Sequence, residues 1–132
     1  MSLTAISPID GRYANKVNEL ANYFSEYALI RYRVFMEIEY FLALVKLPLP
    51  ELKDFPEASI TKLRGLHKDF GPDEAQKVKD IEATTNHDVK AVEYYLRDRF
   101  AELGLSRYSS FIHFGLTSQD INNTALPLSL VD

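Results

Sequence analysis

The chain has 132 residues, 46% hydrophobic and 26% charged, with fifteen Lys and Arg against nineteen Asp and Glu for a net charge of −4. That length fits one domain with a real core, and the acidic balance argues against a nucleic-acid binder, which needs a clustered basic excess. The absence of cysteine excludes disulfides, thiolate nucleophiles and Cys-rich zinc sites, and no stretch approaches the roughly 18 consecutive apolar residues of a membrane span.

The opening run Met1-Ser2-Leu3-Thr4-Ala5-Ile6-Ser7-Pro8 carries neither the basic segment nor the apolar run of a secretory leader; a cytoplasmic location is expected. The first fifteen residues read as an extended segment with a turn at Ser7-Pro8-Ile9-Asp10-Gly11, where Pro fixes φ and Gly tolerates left-handed backbone. Arg12 and Tyr13 follow. A short helix is expected over 16–24.

The strongest helix signal covers 25–46, with Ser25 as N-cap and Ile30, Val34, Ile38, Phe41 and Val45 on one face. Arg31, Arg33, Glu37 and Glu39 fall elsewhere, and Pro48-Leu49-Pro50 stops the helix. The aromatics Tyr27, Tyr32, Phe35, Tyr40 and Phe41 do not all fit one stripe, so the helix is expected to pack on more than one side and to use them as core. A shorter helix follows over 59–68. Gly71-Pro72-Asp73-Glu74 opens another, with Pro at its first position, acidic residues near the positive dipole end, and Ala75, Val78 and Ile81 inward.

The next helix is expected over 88–102, with Val89, Val92, Leu96, Phe100 and Leu103 on its buried face and Gly104 as terminator. After the run Phe111-Ile112-His113-Phe114-Gly115-Leu116, Thr117 and Asp120 have capping-box spacing and open a last helix. Pro127 inside it should kink it or shift its start. No convincing strand pattern or repeat is present, so the class is all-α. The apolar residues Ile121, Ala125, Leu126, Leu128 and Leu130 stop abruptly at Asp132, so the sequence is expected to be part of a longer protein.

Two polar clusters carry the chemistry: Thr84-Thr85-Asn86-His87-Asp88-Val89-Lys90 and Thr117-Ser118-Gln119-Asp120-Ile121-Asn122-Asn123. Each sits at a helix start, where spare backbone N–H groups suit carboxylate or phosphate. Polar atoms at this density are costly in a core unless hydrogen-bonded, so the pair suggests a site for an anionic small molecule. His87 reads equally as a capping group or a ligand contact, and the dipole favours its neutral imidazole. Lys90 alone reads as a solvated lysine. His113 lies in an apolar run and reads as a satisfied core histidine, and His67, among charged residues, reads as surface. The three histidines lack metal-ligand spacing, so no metal is expected. Arg12 fits either a phosphate clamp or a pair with Asp10.

Together with Ser7-Pro8-Ile9-Asp10-Gly11-Arg12-Tyr13, these segments occur in an order that resembles the adenylosuccinate lyases, a family of the aspartase/fumarase superfamily. The resemblance implies β-elimination of fumarate from adenylosuccinate, giving AMP, and from the related succinyl imidazole-carboxamide nucleotide, without a cofactor. It implies nucleotide contacts from Arg12 and Tyr13 near the phosphate, substrate contacts from Asn86, His87 and Asp88, and a carboxylate grip from Thr117 and Ser118. His87 and His113 would support the chemistry. The family's general-acid histidine and its serine base lie on later segments, so neither is expected here, and the 132 residues alone are expected to be inactive. Residues 1–116 would form the N-terminal helical domain and 117–132 the start of the central bundle of a homotetramer. Two other readings are a stand-alone binding or oligomerisation module with this fold, and another fumarate-releasing enzyme such as argininosuccinate lyase. The Thr-Thr-Asn-His-Asp-Val-Lys segment points away from the latter.

Overall fold

The computed structural model describes residues 3–132. Met1 and Ser2, the start of the segment expected to be extended, lie outside the described residues. From residue 3 onward that segment is turn rather than extended chain. Its turn closes as the motif requires, with Gly11 N–H donating to Ser7 O at 3.1 Å and Tyr13 N–H to Pro8 O at 2.8 Å. The helix expected over 16–24 is broken into α1 (Ala14–Val17), a 3-10 turn (Asn18–Leu20) and α2 (Ala21–Phe24). These short pieces bury no residue of their own, so no apolar face supports one continuous helix.

Helix α3 (Glu26–Val45) is the spine of the fold. Ser25 Oγ caps it by accepting from Ala28 N–H at 3.1 Å. Ile30, Val34, Ile38 and Phe41 are buried on one face, as expected. They meet α4 (Glu57–Lys68), α5 (Pro72–Thr85) and α6 (Asp88–Glu102). Phe41 stands edge-on to both Phe55 and Phe100, with ring centroids 5.4 and 5.0 Å away. Full burial of side chains this large contributes about 1.5–3 kcal/mol each. On the opposite side, Ala28 and Tyr32 pack against Ala125 of α7 (Ser118–Val131) in a second apolar cluster. The helix is therefore sandwiched, and Arg33 and Glu37, which the pattern placed off the apolar face, are both buried.

The remaining boundaries follow local chemistry. Pro72 opens α5 at its first turn. The backbone of Gly104 lies at φ +73°, beyond the end of α6, where an L side chain would be strained. A 3-10 segment (Ser106–Phe111) leads to the 112–117 loop. Pro127 neither ends α7 nor shifts its start. It is exposed, and the Asn123 carbonyl that loses its usual donor belongs to an exposed residue, which lowers the cost. His67 departs from the surface reading. Its side chain is 8% exposed, its ring stands edge-on to Phe35 at 4.8 Å, and burial lowers its pKa against the opposing pull of Glu39. The described residues are all-helical, as expected, and no helix among them is long and apolar enough to cross a membrane.

Candidate functional site at two helix starts

The first cluster is an elbow between α5 and α6. Asn86 ends α5 in the left-handed conformation, φ +53°, with its N–H donating to Glu82 O at 2.8 Å. Asparagine tolerates this geometry better than most residues. His87 is the N-cap of α6, and its Nδ1 accepts from Lys90 N–H at 3.1 Å. That contact fixes the ring: with Nδ1 as acceptor, a neutral His87 carries its proton on Nε2. Nε2 lies 3.5 Å from Ser118 Oγ. The capping and ligand readings of His87 are therefore compatible, because capping uses one nitrogen and leaves the other facing the second cluster.

The second cluster starts α7 with the capping box read from its spacing. Thr117 N–H donates to Asp120 Oδ2 at 2.8 Å, and Thr117 Oγ1 donates to the same atom at 3.0 Å. These contacts hold the Asp120 carboxyl below its usual value, the backbone donor acting most strongly. The Thr117 hydroxyl is thus engaged within the cap, whereas Ser118 Oγ faces His87. Gln119 and Asn123 pair with each other at 2.7 Å along the outer face of α7.

A residue that sequence reasoning passed over joins the two clusters. Arg33, on the buried spine, places Nη2 2.9 Å from Asp88 Oδ2 and Nε 3.0 Å from Asn122 Oδ1. One guanidinium thereby clasps the start of α6 to the start of α7, a task that its rigid fork of donors suits. Burial pushes the Asp88 carboxyl up, but Arg33 and the Val89 N–H outweigh it and hold Asp88 below its ordinary value. One turn along α3, Glu37 Oε1 meets His113 Nδ1 at 2.5 Å, and Tyr40 OH donates to Phe114 O at 2.9 Å. Arg33, Glu37 and Tyr40 form a polar seam down the spine that secures the two helix starts and the 112–117 loop. The available signal was the four-residue spacing of Arg33 and Glu37 on a helix with apolar groups on two sides, which leaves little solvent-facing surface for either charge.

Lys90 bonds Glu93 at 3.0 Å and lies over the Tyr94 ring, in keeping with its reading as a solvated surface residue. His113 is partly buried at φ +61°, paired with a carboxylate rather than lodged in an apolar core. Arg12 stacks over its neighbour Tyr13 at 5.2 Å beside a surface cavity of about 490 Å³ that also touches Ser7, Pro8 and Gly11. No hydrogen bond among the described residues joins Arg12 or Tyr13 to either cluster, and Arg12 makes no ion pair with Asp10. No group of three or more His, Asp or Glu side chains among the described residues is arranged to hold a metal ion.

An all-helical chain with paired polar helix starts clasped by a buried arginine is matched over residues 11–132 by the lyase family, and the chain belongs to that family. At the level of single proteins, it is 57% identical over 137 residues to adenylosuccinate lyase of Dictyostelium discoideum, covering 99% of this chain and 29% of that protein. Adenylosuccinate lyase of Legionella pneumophila (strain Corby) is 48% identical over 131 residues, and that of Escherichia coli (strain K12) is 45% identical over 131. In each case 98% of this chain and 29% of the relative are covered, so the chain spans less than a third of the length of these curated relatives. The resemblance read from the three motifs is borne out.

Proposed function

We propose that this chain supplies the substrate-gripping part of an adenylosuccinate lyase acting in the cytoplasm as a homotetramer. The carrying observation is the convergence of the two helix starts, with His87 Nε2 facing Ser118 Oγ at 3.5 Å and Arg33 bridging Asp88 and Asn122. Free N–H groups at the start of α7 and the Ser118 hydroxyl suit a succinyl carboxylate. Asn86, His87 and Asp88 line the facing side, and His87, with its proton on Nε2, is a donor to substrate. Thr117 acts by shaping the helix start, since its N–H and its hydroxyl both serve the cap on Asp120. Arg12 and Tyr13 would take the nucleotide phosphate at a separate place on the chain, joined to the clusters through the assembled oligomer.

In the reaction, a base removes a proton from the carbon beside a carboxylate. The electron pair forms the double bond of fumarate as the carbon–nitrogen bond breaks, and an acid protonates the departing nitrogen. Fixed donors that meet the carboxylate as it gains charge lower the barrier. His87 and His113 support this chemistry, and the principal acid and base lie outside these residues. Residues 1–116 form the helical N-terminal domain in this reading, and 117–132 begin the oligomer-forming bundle.

The test is the protein expressed from its whole coding sequence, assayed by loss of adenylosuccinate absorbance and appearance of fumarate. Turnover is expected there and not with the 132 residues alone. Failure of the whole protein to cleave either succinyl nucleotide overturns the proposal.

A further inference from the structure

Glu37 is 1% exposed on the spine helix. A buried carboxylate is costly unless satisfied, yet its Oε2 is buried without a hydrogen-bond partner. Its other oxygen meets His113 Nδ1, and the backbone N–H of His113 also acts on the carboxylate. That histidine occupies left-handed backbone at φ +61°, a conformation unfavourable for a residue with a side chain. The loop around it is secured by the Tyr40 hydroxyl on Phe114 O and by Leu116 N–H donating to His113 O at 3.2 Å. A buried unsatisfied oxygen and a strained backbone thus meet at one contact. Such features persist where the surrounding structure holds them in place, and they gather at functional sites.

The second ring nitrogen is unengaged. His113 Nε2 has no protein partner, is not among the buried unpartnered atoms, and the side chain is 16% exposed. The ring lies within electrostatic range of Asp120, at the start of α7. We propose that Glu37 is a positioning residue for the lyase site: its carboxylate accepts from His113 Nδ1–H and so presents the Nε2 lone pair toward the start of α7. A carboxylate on one imidazole nitrogen fixes the tautomer and orientation of the ring. Burial pushes the Glu37 carboxyl above its usual value, His113 pulls it back down, and the like charge of Glu93, itself occupied by Lys90 and Arg97, adds a smaller upward push. The part His113 plays in substrate chemistry rests on the function proposed above, whereas the pairing itself does not.

Nitrogen-15 NMR of the 132-residue chain reads the tautomer directly and needs no substrate. The expected result at neutral pH is a protonated Nδ1 and an unprotonated Nε2 for His113, shifting toward the Nε2–H form in Glu37→Leu and to a mixture in Glu37→Gln. A parent chain already in the Nε2–H form overturns the proposal even if neither variant folds. In the whole-length protein, Glu37→Gln is expected to lower kcat by about 10- to 100-fold with KM nearly unchanged, and Glu37→Asp to restore part of it. An altered tautomer with unaltered kcat removes Glu37 from the reaction. The predicted tautomer in a whole-length protein without turnover sinks the lyase reading and leaves the pairing standing.

Discussion

Replacing Arg33 with methionine keeps the aliphatic stem in the sandwich and deletes the fork. Two contacts are lost, at 2.9 Å to Asp88 and 3.0 Å to Asn122. Hydrogen bonds that involve a charged group contribute about 1.5–3 kcal/mol each. Opposing this loss, methionine no longer has to bury a guanidinium, which costs several kcal/mol per ion in a dry interior. Breaking a fully buried pair destabilises by about 3–5 kcal/mol because the orphaned partner stays unsolvated. Here the Asp88 side chain is 47% exposed and recovers water. These effects leave a net loss of about 2 kcal/mol, below the fully buried case but above the roughly 0–1 kcal/mol of a surface pair. Urea unfolding of the 132-residue chain reads it: with a slope of about 2 kcal/mol/M, the midpoint falls by about 1 M. Arg33→Lys should recover less than half, because one ammonium cannot span both acceptors. A double-mutant cycle with Asp88→Asn should show a coupling of about 1 kcal/mol. A loss of under about 0.5 kcal/mol for Arg33→Met, against the roughly 2 expected, would refute the clasp.

The same clasp sets a pH dependence. The folded Asp88 carboxyl lies below its ordinary value, so its stabilisation is complete above that ordinary value and disappears as pH falls through the lowered one; the difference between parent and Arg33→Met should shrink on acidification, and a pH-independent difference would contradict this. Thr117→Ala removes the side-chain cap of α7 and should cost about 1 kcal/mol, measured by thermal melting, with the 15-residue-long α6 unaffected in amide exchange. Phe41→Ala opens a void between Phe55 and Phe100 and should cost about 3–5 kcal/mol, so a loss below about 2 kcal/mol would mean that the aromatic stack is not the centre of the core.

The elements most legible in the sequence were those whose ends carry their own chemistry. Ser25 before α3, Pro72 at the head of α5 and Gly104 after α6 gave boundaries close to those observed, because caps and breakers act within a few residues. The 14–24 region failed for the complementary reason: without a buried face, nothing beyond the sequence decides whether its turns join. In the site, both helix starts were visible as excess polar groups. The residues holding them together were not. Arg33 and Glu37 lie 89 and 76 residues from Asn122 and His113, and pairing at that range is a property of packing that local periodicity does not encode. His67 was misread because its charged sequence neighbours give no sign that its ring turns in on Phe35.

The elbow between α5 and α6 has a consequence for how this chain can vary. Only Asn86 and His87 separate the last residue of one helix from the first of the next. One inserted residue continuing α5 would swing everything downstream by about 100° and advance it about 1.5 Å, carrying Asp88 away from Arg33 and the His87 ring away from Ser118. The stretch therefore admits exchanges of one side chain for another but no change in length. Gaps and insertions should instead collect in the 46–56 connection, where a longer loop leaves the elbow undisturbed.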